Sequence, residues 1–267
     1  MQNPAIKTTP QATPGQKFDQ WWLMVLAAIA LILILIFSQP DPYERILRYV
    51  SDGIWVTIRT TAVSFSLVLV LGLFVALARL TKSRIVRAIA TIYVEIIRGI
   101  PVLVQLIFWY FAFPSVLQQV GRAMNYQALL NYRANPEAMA ILGLTICYAA
   151  YMSEVYRAGI QSIQKGQMEA ARSLGMNYIQ AMRYIIIPQA VRVILPPVGN
   201  EFITLLKDTS LVSVVGVSDL TRRGREFMAS NFIPLEPWIM VSLIYLVMTL
   251  VSARVVHSIE QKTRMER

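Results

Sequence analysis

The sequence predicts an all-α integral membrane protein, and three observations predict it. Of its 267 residues 56% are hydrophobic, and the mean hydropathy is +0.52, values typical of a polytopic membrane protein. The apolar residues fall into runs close to the roughly 20 residues that a helix needs to cross a hydrocarbon core. The basic residues behind the net charge of +10 are scattered around those runs. That scatter is the mark of positive-inside bias and argues against nucleic acid as a partner.

Taken in order, residues 1–20 are polar, Gln-rich and Pro-bearing, and read as a flexible tail. Residues 21–53 hold a first span near Trp21–Phe37 and an outer segment. The length of that span and the lack of a small-x-small site after it favour a true span over a cleaved signal. Further spans are expected near Ile54–Leu80, Ala88–Phe113, Ala138–Gly159, Val193–Val215 and Trp238–Val256, so that residues 54–256 form the membrane domain and 257–267 a cytoplasmic C-terminal tail. The second and third spans are long enough to tilt or to extend past the bilayer. Trp21, Trp22, Trp55, Trp109 and Trp238 lie near span ends, as an aromatic belt would. With both termini cytoplasmic, the inner segments hold fifteen Lys and Arg and the outer segments seven. The connection after Gly159 is therefore expected in the cytoplasm. Arg222-Arg223-Gly224-Arg225 is discordant with that orientation and is expected as a folded segment packed at the outer surface.

Several function classes lack their material. The single cysteine, Cys147, lies in an apolar run and the single histidine, His257, at the end of the last span, so neither a disulfide framework nor a metal site is expected. No nucleophile–base constellation points to an enzyme. No glycine loop of the GxxxxGK[ST] type occurs in an aqueous segment, so any ATP that drives this protein binds to another chain. The absence of a visible internal repeat weighs against the inverted-repeat secondary transporters.

Between the fourth and fifth spans lies a short polar block. Gln164-Lys165-Gly166-Gln167 reads as a turn, and Met168 to Leu174 as two turns of helix. Ala170 and Ala171 are strong helix formers, Glu169 near the helix start suits the dipole, and Gly175 is a natural C′ residue. A helix this short needs packing on both sides to persist. Residues 167–176 thus form an elbow, with Glu169 and Arg172 as its charged contacts. Glu169-Ala170-Ala171, then Gly175, then Ile185 and Ile187-Pro188 resemble the signature of ABC importer permeases, departing from it only in Ile187, where leucine is usual. Arg98-Gly99-Ile100-Pro101-Val102-Leu103-Val104-Gln105, Glu154 to Ile160 and Leu206 to Leu211 resemble segments of the polar amino acid subfamily, the histidine/glutamine-type permeases. The likeness covers roughly residues 54–256.

That resemblance implies the type I importer permease fold for a five-span core in a bacterial plasma (inner) membrane, to which the apolar run near Trp21–Phe37 adds an extra N-terminal span. It implies that the elbow is a coupling helix docked in a cleft of an ATP-binding subunit dimer. ATP and Mg would then sit on that partner, with no cofactor in this chain. It also implies a second permease subunit, identical or homologous, and an extracytoplasmic solute-binding protein that delivers the amino acid.

Ionisable side chains at membrane depth are costly, so each is a site candidate. Here they are Arg59, Glu95, Arg98, Glu154, Glu201, Lys207 and Asp208. Arg59 lies close enough to a span end to snorkel. Glu95 with Arg98, and Glu154 with Arg157, have the i, i+3 spacing of intrahelical pairs. In the fifth span Glu201, Thr204, Leu205 and Asp208 share one helix face, with Asn200 at its edge. Pro196, Pro197 and Gly199 are expected to interrupt the start of that helix, as irregular backbone lining a cavity does. Two acids on one stripe lean toward a basic amino acid, although the ammonium group of any amino acid can satisfy one of them, which leaves glutamine and glutamate open. Arg98 and Gln105, beside Pro101, are placed to meet the carboxylate. An ion-coupled secondary transporter using the same acids is the alternative reading; it leaves the elbow unexplained.

Overall fold

The structure, a computed structural model, describes residues 20–263 and is entirely helical over its regular elements. Nearly all of the expected N-terminal tail, and residues 264–267, lie outside the described residues. The helices are α1 (Gln20–Ser38), α2 (Pro40–Leu80), α3 (Arg84–Gly99), α4 (Val102–Ile107), α5 (Phe113–Met124), α6 (Gln127–Leu130), α7 (Pro136–Gln161), α8 (Lys165–Ser173), α9 (Tyr178–Ala181), α10 (Ile187–Asp208), α11 (Leu220–Asn231) and α12 (Glu236–Thr263). A π turn at Phe108–Ala112 joins α4 to α5, another at Met182–Ile186 joins α9 to α10, and a 3₁₀ segment, Thr209–Val215, follows α10.

Among the described residues five helical stretches are long and apolar enough to cross a membrane: Trp21–Ser38, Pro40–Leu80, Val102–Met124, Pro136–Gln161 and Glu236–Lys262. They differ from the expected spans in three instructive ways. The third span, expected at Ala88–Phe113, is broken at Ile100, whose backbone is extended (φ −107°, ψ 130°). A residue before proline is pushed out of the helical region, and Pro101 follows. The apolar crossing stretch is therefore displaced to Val102–Met124. The expected Val193–Val215 span is not among the five. Its helix starts earlier, at Ile187, and gives way to 3₁₀ geometry after Asp208. Pro196 and Pro197 do not interrupt it; they lie inside one continuous helix. The irregular backbone lies before the helix, where the π turn at Met182–Ile186 precedes Pro188 in its first turn. Finally, the α2 segment is kinked at Asp41, whose backbone is extended (φ −97°, ψ 115°), and most of the outer segment belongs to the helix that continues from there to Leu80, while α12 runs on through residues assigned to the C-terminal tail.

Helix starts carry their own sequence reasons. Asn135 accepts a hydrogen bond from the Ala138 amide (3.0 Å) and precedes Pro136, a cap and N1 proline that open α7. Buried Asp219 accepts from the Thr221 and Arg222 amides (both 3.0 Å) and opens α11. Burial pushes its carboxyl above the usual carboxylate range, against the pull of those two amides.

At the centre stands α7, with 61% of its most apolar stretch buried, against 11–28% for the other four. It packs on α2, α3, α4 and α10. The core joins Leu144, Cys147, Tyr148 and Met152 of α7 to Val68 of α2, Leu106 of α4 and Leu205 of α10. A second core joins Tyr43, Ile46 and Val50 of α2 to Leu220 and Phe227 of α11 and Met240, Val241 and Ile244 of α12. Where α2 crosses α7, a Cβ on Gly72 would lie 2.8 Å from Met152 Cβ and 3.3 Å from the Ala149 carbonyl. Gly72→Val is therefore expected to destabilise the fold by about 1–3 kcal/mol through overpacking. Gly99→Ala, in open space, is the control; a thermal unfolding midpoint in detergent that is lowered only for Gly72→Val checks this.

The discordant arginine cluster is a folded element, as expected. Arg222 and Arg223 both bind Glu226, Arg223 also binds Asp52 of α2, and Arg225 donates to the Ser213 carbonyl (3.0 Å). The two guanidiniums hold the Glu226 carboxyl below its usual range. Arg223 thus ties α11 to α2 and Arg225 ties it to the 3₁₀ segment, while Arg222 pairs within α11.

Candidate functional site

The elbow is a nine-residue helix, α8, entered through Gln164 and closed by a complete Schellman motif. The Met176 amide donates to the Ala171 carbonyl (3.1 Å) and the Gly175 amide to the Arg172 carbonyl (2.9 Å). Gly175 supplies the left-handed residue this requires, at φ +83°. The chain then restarts at once: Asn177 and Gln180 form a reciprocal capping box for α9. Ala171 is buried, whereas Glu169, Ala170 and Arg172 face outward beside Leu174, which is 80% exposed. Gln189 of α10 donates to the Gln167 amide oxygen (3.2 Å) and ties the elbow to the next long helix. One detail corrects the sequence reading. Glu169 is the fifth residue of α8, and no acid lies in the first turn, so the dipole does not explain it. Among the described residues Glu169 has no ion-pair partner, and its carboxylate stands free on the outward face.

The membrane-embedded charges sort into two groups. The first is spent on holding helices together. Arg59 of α2 forms a forked pair with Glu137 of α7. Glu154 of α7 takes Arg157 of its own helix, as expected, and also Arg79 of α2, which composition did not suggest.

The second group is a polar cluster, here termed the chamber, contributed by α3, α7 and α10. Arg98, at the end of α3, stacks over the Tyr151 ring with its guanidinium carbon 5.2 Å from the centroid, a cation–π distance. Glu201 of α10 is half-buried and within electrostatic reach of Arg98, with no ion pair between the two among the described residues. Tyr148, one turn before Tyr151 on α7, donates to Asp208 of α10 (2.7 Å). Among the described residues Glu95 has no ion-pair partner, so the expected Glu95–Arg98 pair does not form. Arg98, Glu201 and Asp208 are thus brought together, on the flank of α10 between buried Leu205 and exposed Thr204.

The other expected site residues stand elsewhere. Gln105 is buried and donates from its amide nitrogen to the Ile97 (2.8 Å) and Ile100 (2.9 Å) carbonyls. These are carbonyls beside the break at Pro101. With both amide hydrogens so committed, Gln105 braces the break and cannot also donate to a carboxylate. Thr204 turns its hydroxyl back onto the Asn200 carbonyl (2.9 Å). Asn200 lines a separate cavity of about 270 Å³ with Trp21 of α1 and His257 of α12. Lys207 lies along another, of about 400 Å³, with Ser210 and with Ser242, Tyr245 and Thr249 of α12. The tyrosines of the chamber escaped sequence reasoning because neither is charged. Their spacing of three on α7, facing two acids on α10, is a signal only once the two helices are paired.

Residues 68–265 match the family of binding-protein-dependent transport system inner membrane components. The glutamine transport system permease protein GlnP of Escherichia coli (strain K12) is 38% identical over 196 residues, covering 73% of this chain and 84% of that protein. The arginine transport system permease protein ArgU of Corynebacterium glutamicum is 35% identical over 254 residues, covering 91% of this chain and 78% of that protein. A crystal structure of an amino acid ABC transporter with histidines superposes with a TM-score of 0.71 at 37% identity, over 80% of this chain and 94% of that one. The methionine ABC transporter MetNI, in inward-facing conformations, shares the fold, with a TM-score of 0.67 at 21% identity over 83% of this chain and 99% of that one.

Proposed function

This chain belongs to the family of binding-protein-dependent transport system inner membrane components, and from that membership we propose how its elbow and its chamber divide the work of uptake. It is a multi-pass inner membrane permease of a bacterial ABC importer for amino acids. Such a system pairs it with an ATPase and a binding protein, and the chain itself carries no catalytic site. On our reading two permease subunits enclose one pathway, and an ATP-binding dimer receives α8 of each through Glu169, Ala170, Ala171, Arg172 and Gly175. Both termini and α8 then face the cytoplasm. The observation that carries this is the elbow's construction: a short helix locked at its C-terminus, with an unpaired carboxylate and an exposed leucine turned outward.

The chamber is where we place substrate choice. Arg98 would hold the substrate carboxylate, while Glu201 and Asp208 favour a ligand carrying an extra positive charge. Arginine and glutamine both occur among the names of relatives, and two acids facing a single arginine favour the cationic one. ATP hydrolysis by the assembled complex in liposomes, scanned across amino acids presented with the binding protein, tests this. Arginine is expected to stimulate it more than glutamine; stimulation by glutamine with none by arginine would overturn the cationic reading.

Tyr148 matters here because it fixes one carboxylate. Tyr148→Phe removes a hydrogen bond to a charged group, worth about 1.5 kcal/mol. The expected outcome is a rise of about tenfold in KM for uptake with little change in the maximal rate. Uptake kinetics in proteoliposomes check it.

A further inference from the structure

One charged cluster is used neither by the elbow nor by the chamber, yet it lies between them. Glu154 is held from two sides. Arg157 reaches it from the next turn of α7, with its Nε 3.1 Å from one carboxylate oxygen, and Arg79 reaches it from α2. Arg157 also donates to the Gln161 amide oxygen (2.5 Å), the last residue of α7. The Arg79 side chain is only 11% exposed, and those of Glu154 and Arg157 28% each, so this is not a solvated surface pair of small consequence.

Its position gives it more to do than hold two helices. Arg79 is the penultimate residue of α2, and three residues beyond that helix α3 begins. Glu154 lies two turns from the end of α7, and three residues beyond Gln161 α8 begins. One turn on the other side of Glu154 comes Tyr151, the ring beneath Arg98, and a turn further Tyr148, the donor to Asp208. α8 is joined to α7 through residues 162–164 and to α10 through Gln189 and Gln167, so a displacement of α8 is passed to both helices. Two ion pairs join α2 to α7, Arg59–Glu137 at one end and Arg79–Glu154 at the end next to the elbow. Loss of the second would let that end of α7 shift against α2 and carry Tyr151 away from Arg98, at the far end of the α2–α3 hairpin.

We propose that Arg79 is a positioning residue for coupling. Through Glu154 it makes the α2–α3 hairpin and α7 move as one body with the elbow, so that motion of α8 reaches the chamber undivided. The proposal rests on the reading of α8 as the point where force enters. Arg157 shares a helix with Glu154 and cannot join α7 to α2, so its loss should matter far less. A packing role alone would lower assembly or stability and leave the amino acid taken up per ATP hydrolysed unchanged in the complexes that form.

The test uses the full complex, permease with ATPase and binding protein, in proteoliposomes, and reads amino acid taken up per ATP hydrolysed. Arg79→Gln is expected to lower that ratio about tenfold while ATP hydrolysis continues. Arg79→Lys, which keeps the charge without the planar fork, should lower it two- to threefold, and Arg157→Gln less than twofold. Should Arg79→Gln not assemble, Arg79→Lys decides by the same comparison with Arg157→Gln. Gly175→Val, run alongside, separates the two claims. If it lowers the ratio while the Arg79 variants leave it unchanged, or match Arg157→Gln, the brace proposal is overturned and the elbow reading stands. If Gly175→Val itself leaves the ratio unchanged, the elbow reading falls.

Discussion

Gly175→Val is expected to leave the protein in the membrane with its chamber formed, and to cut uptake at least tenfold while the ATPase still turns over. The residue sits at φ +83°, a region that costs an ordinary L-residue about 1–2 kcal/mol and a β-branched one more. It is also the C′ position of the Schellman motif that closes α8. A nine-residue helix has little stability of its own, so a strained terminus frays it and leaves a slack connection where the partner needs a lever. Asparagine is the next most tolerant residue at such a position. Gly175→Asn should therefore recover most of the uptake. A Cβ there meets no neighbour within 4 Å, so the effect comes from the backbone and not from a clash. Uptake and ATP hydrolysis measured on the same proteoliposomes check this, with membrane content by immunoblot as the control.

The Glu201→Gln/Asp208→Asn double variant is expected to have the second large effect, on selection. Both substitutions keep size and hydrogen-bonding capacity and remove negative charge, leaving Arg98 uncompensated by Glu201. A cationic side chain then enters a chamber of net positive charge, and arginine uptake should fall by about 100-fold or more, since an unpaired charge at membrane depth costs several kcal/mol. Glutamine uptake, which asks for no such neutralisation, should fall far less. Equal uptake of arginine by wild type and double variant would sink the chamber assignment.

The elbow was legible in the sequence because its information is local. Helix formers and a glycine stop lie within a few residues of one another, and each acts on the backbone of its neighbours. Even there Glu169 was misjudged, since α8 starts at Lys165, and a shift of a few residues decides whether an acid meets the helix dipole. The long helices α1, α2, α7 and α12 were found from length and apolarity. The third span was misplaced because hydropathy does not register a proline break, and the fifth because apolar content does not register how a helix continues through Pro196 and Pro197. The chamber was half legible. Glu201 and Asp208 announced themselves by charge and period, and Arg98 by charge alone. Gln105 looked like a ligand in the sequence because its polarity was visible, while the two carbonyls it satisfies beside the broken backbone were not. Arg79–Glu154 and Tyr148–Asp208 join residues 75 and 60 positions apart; no local rule reaches that far.

The central claim is that force enters at α8 and selection happens around Glu201 and Asp208. The most direct test is the preference for arginine over glutamine in uptake per ATP hydrolysed, for Gly175→Val and for Glu201→Gln/Asp208→Asn. Gly175→Val is predicted to lower both amino acids in equal proportion and keep the preference, and the double variant to reverse the preference. A changed preference in Gly175→Val, or a proportional loss of both amino acids in the double variant, would contradict it.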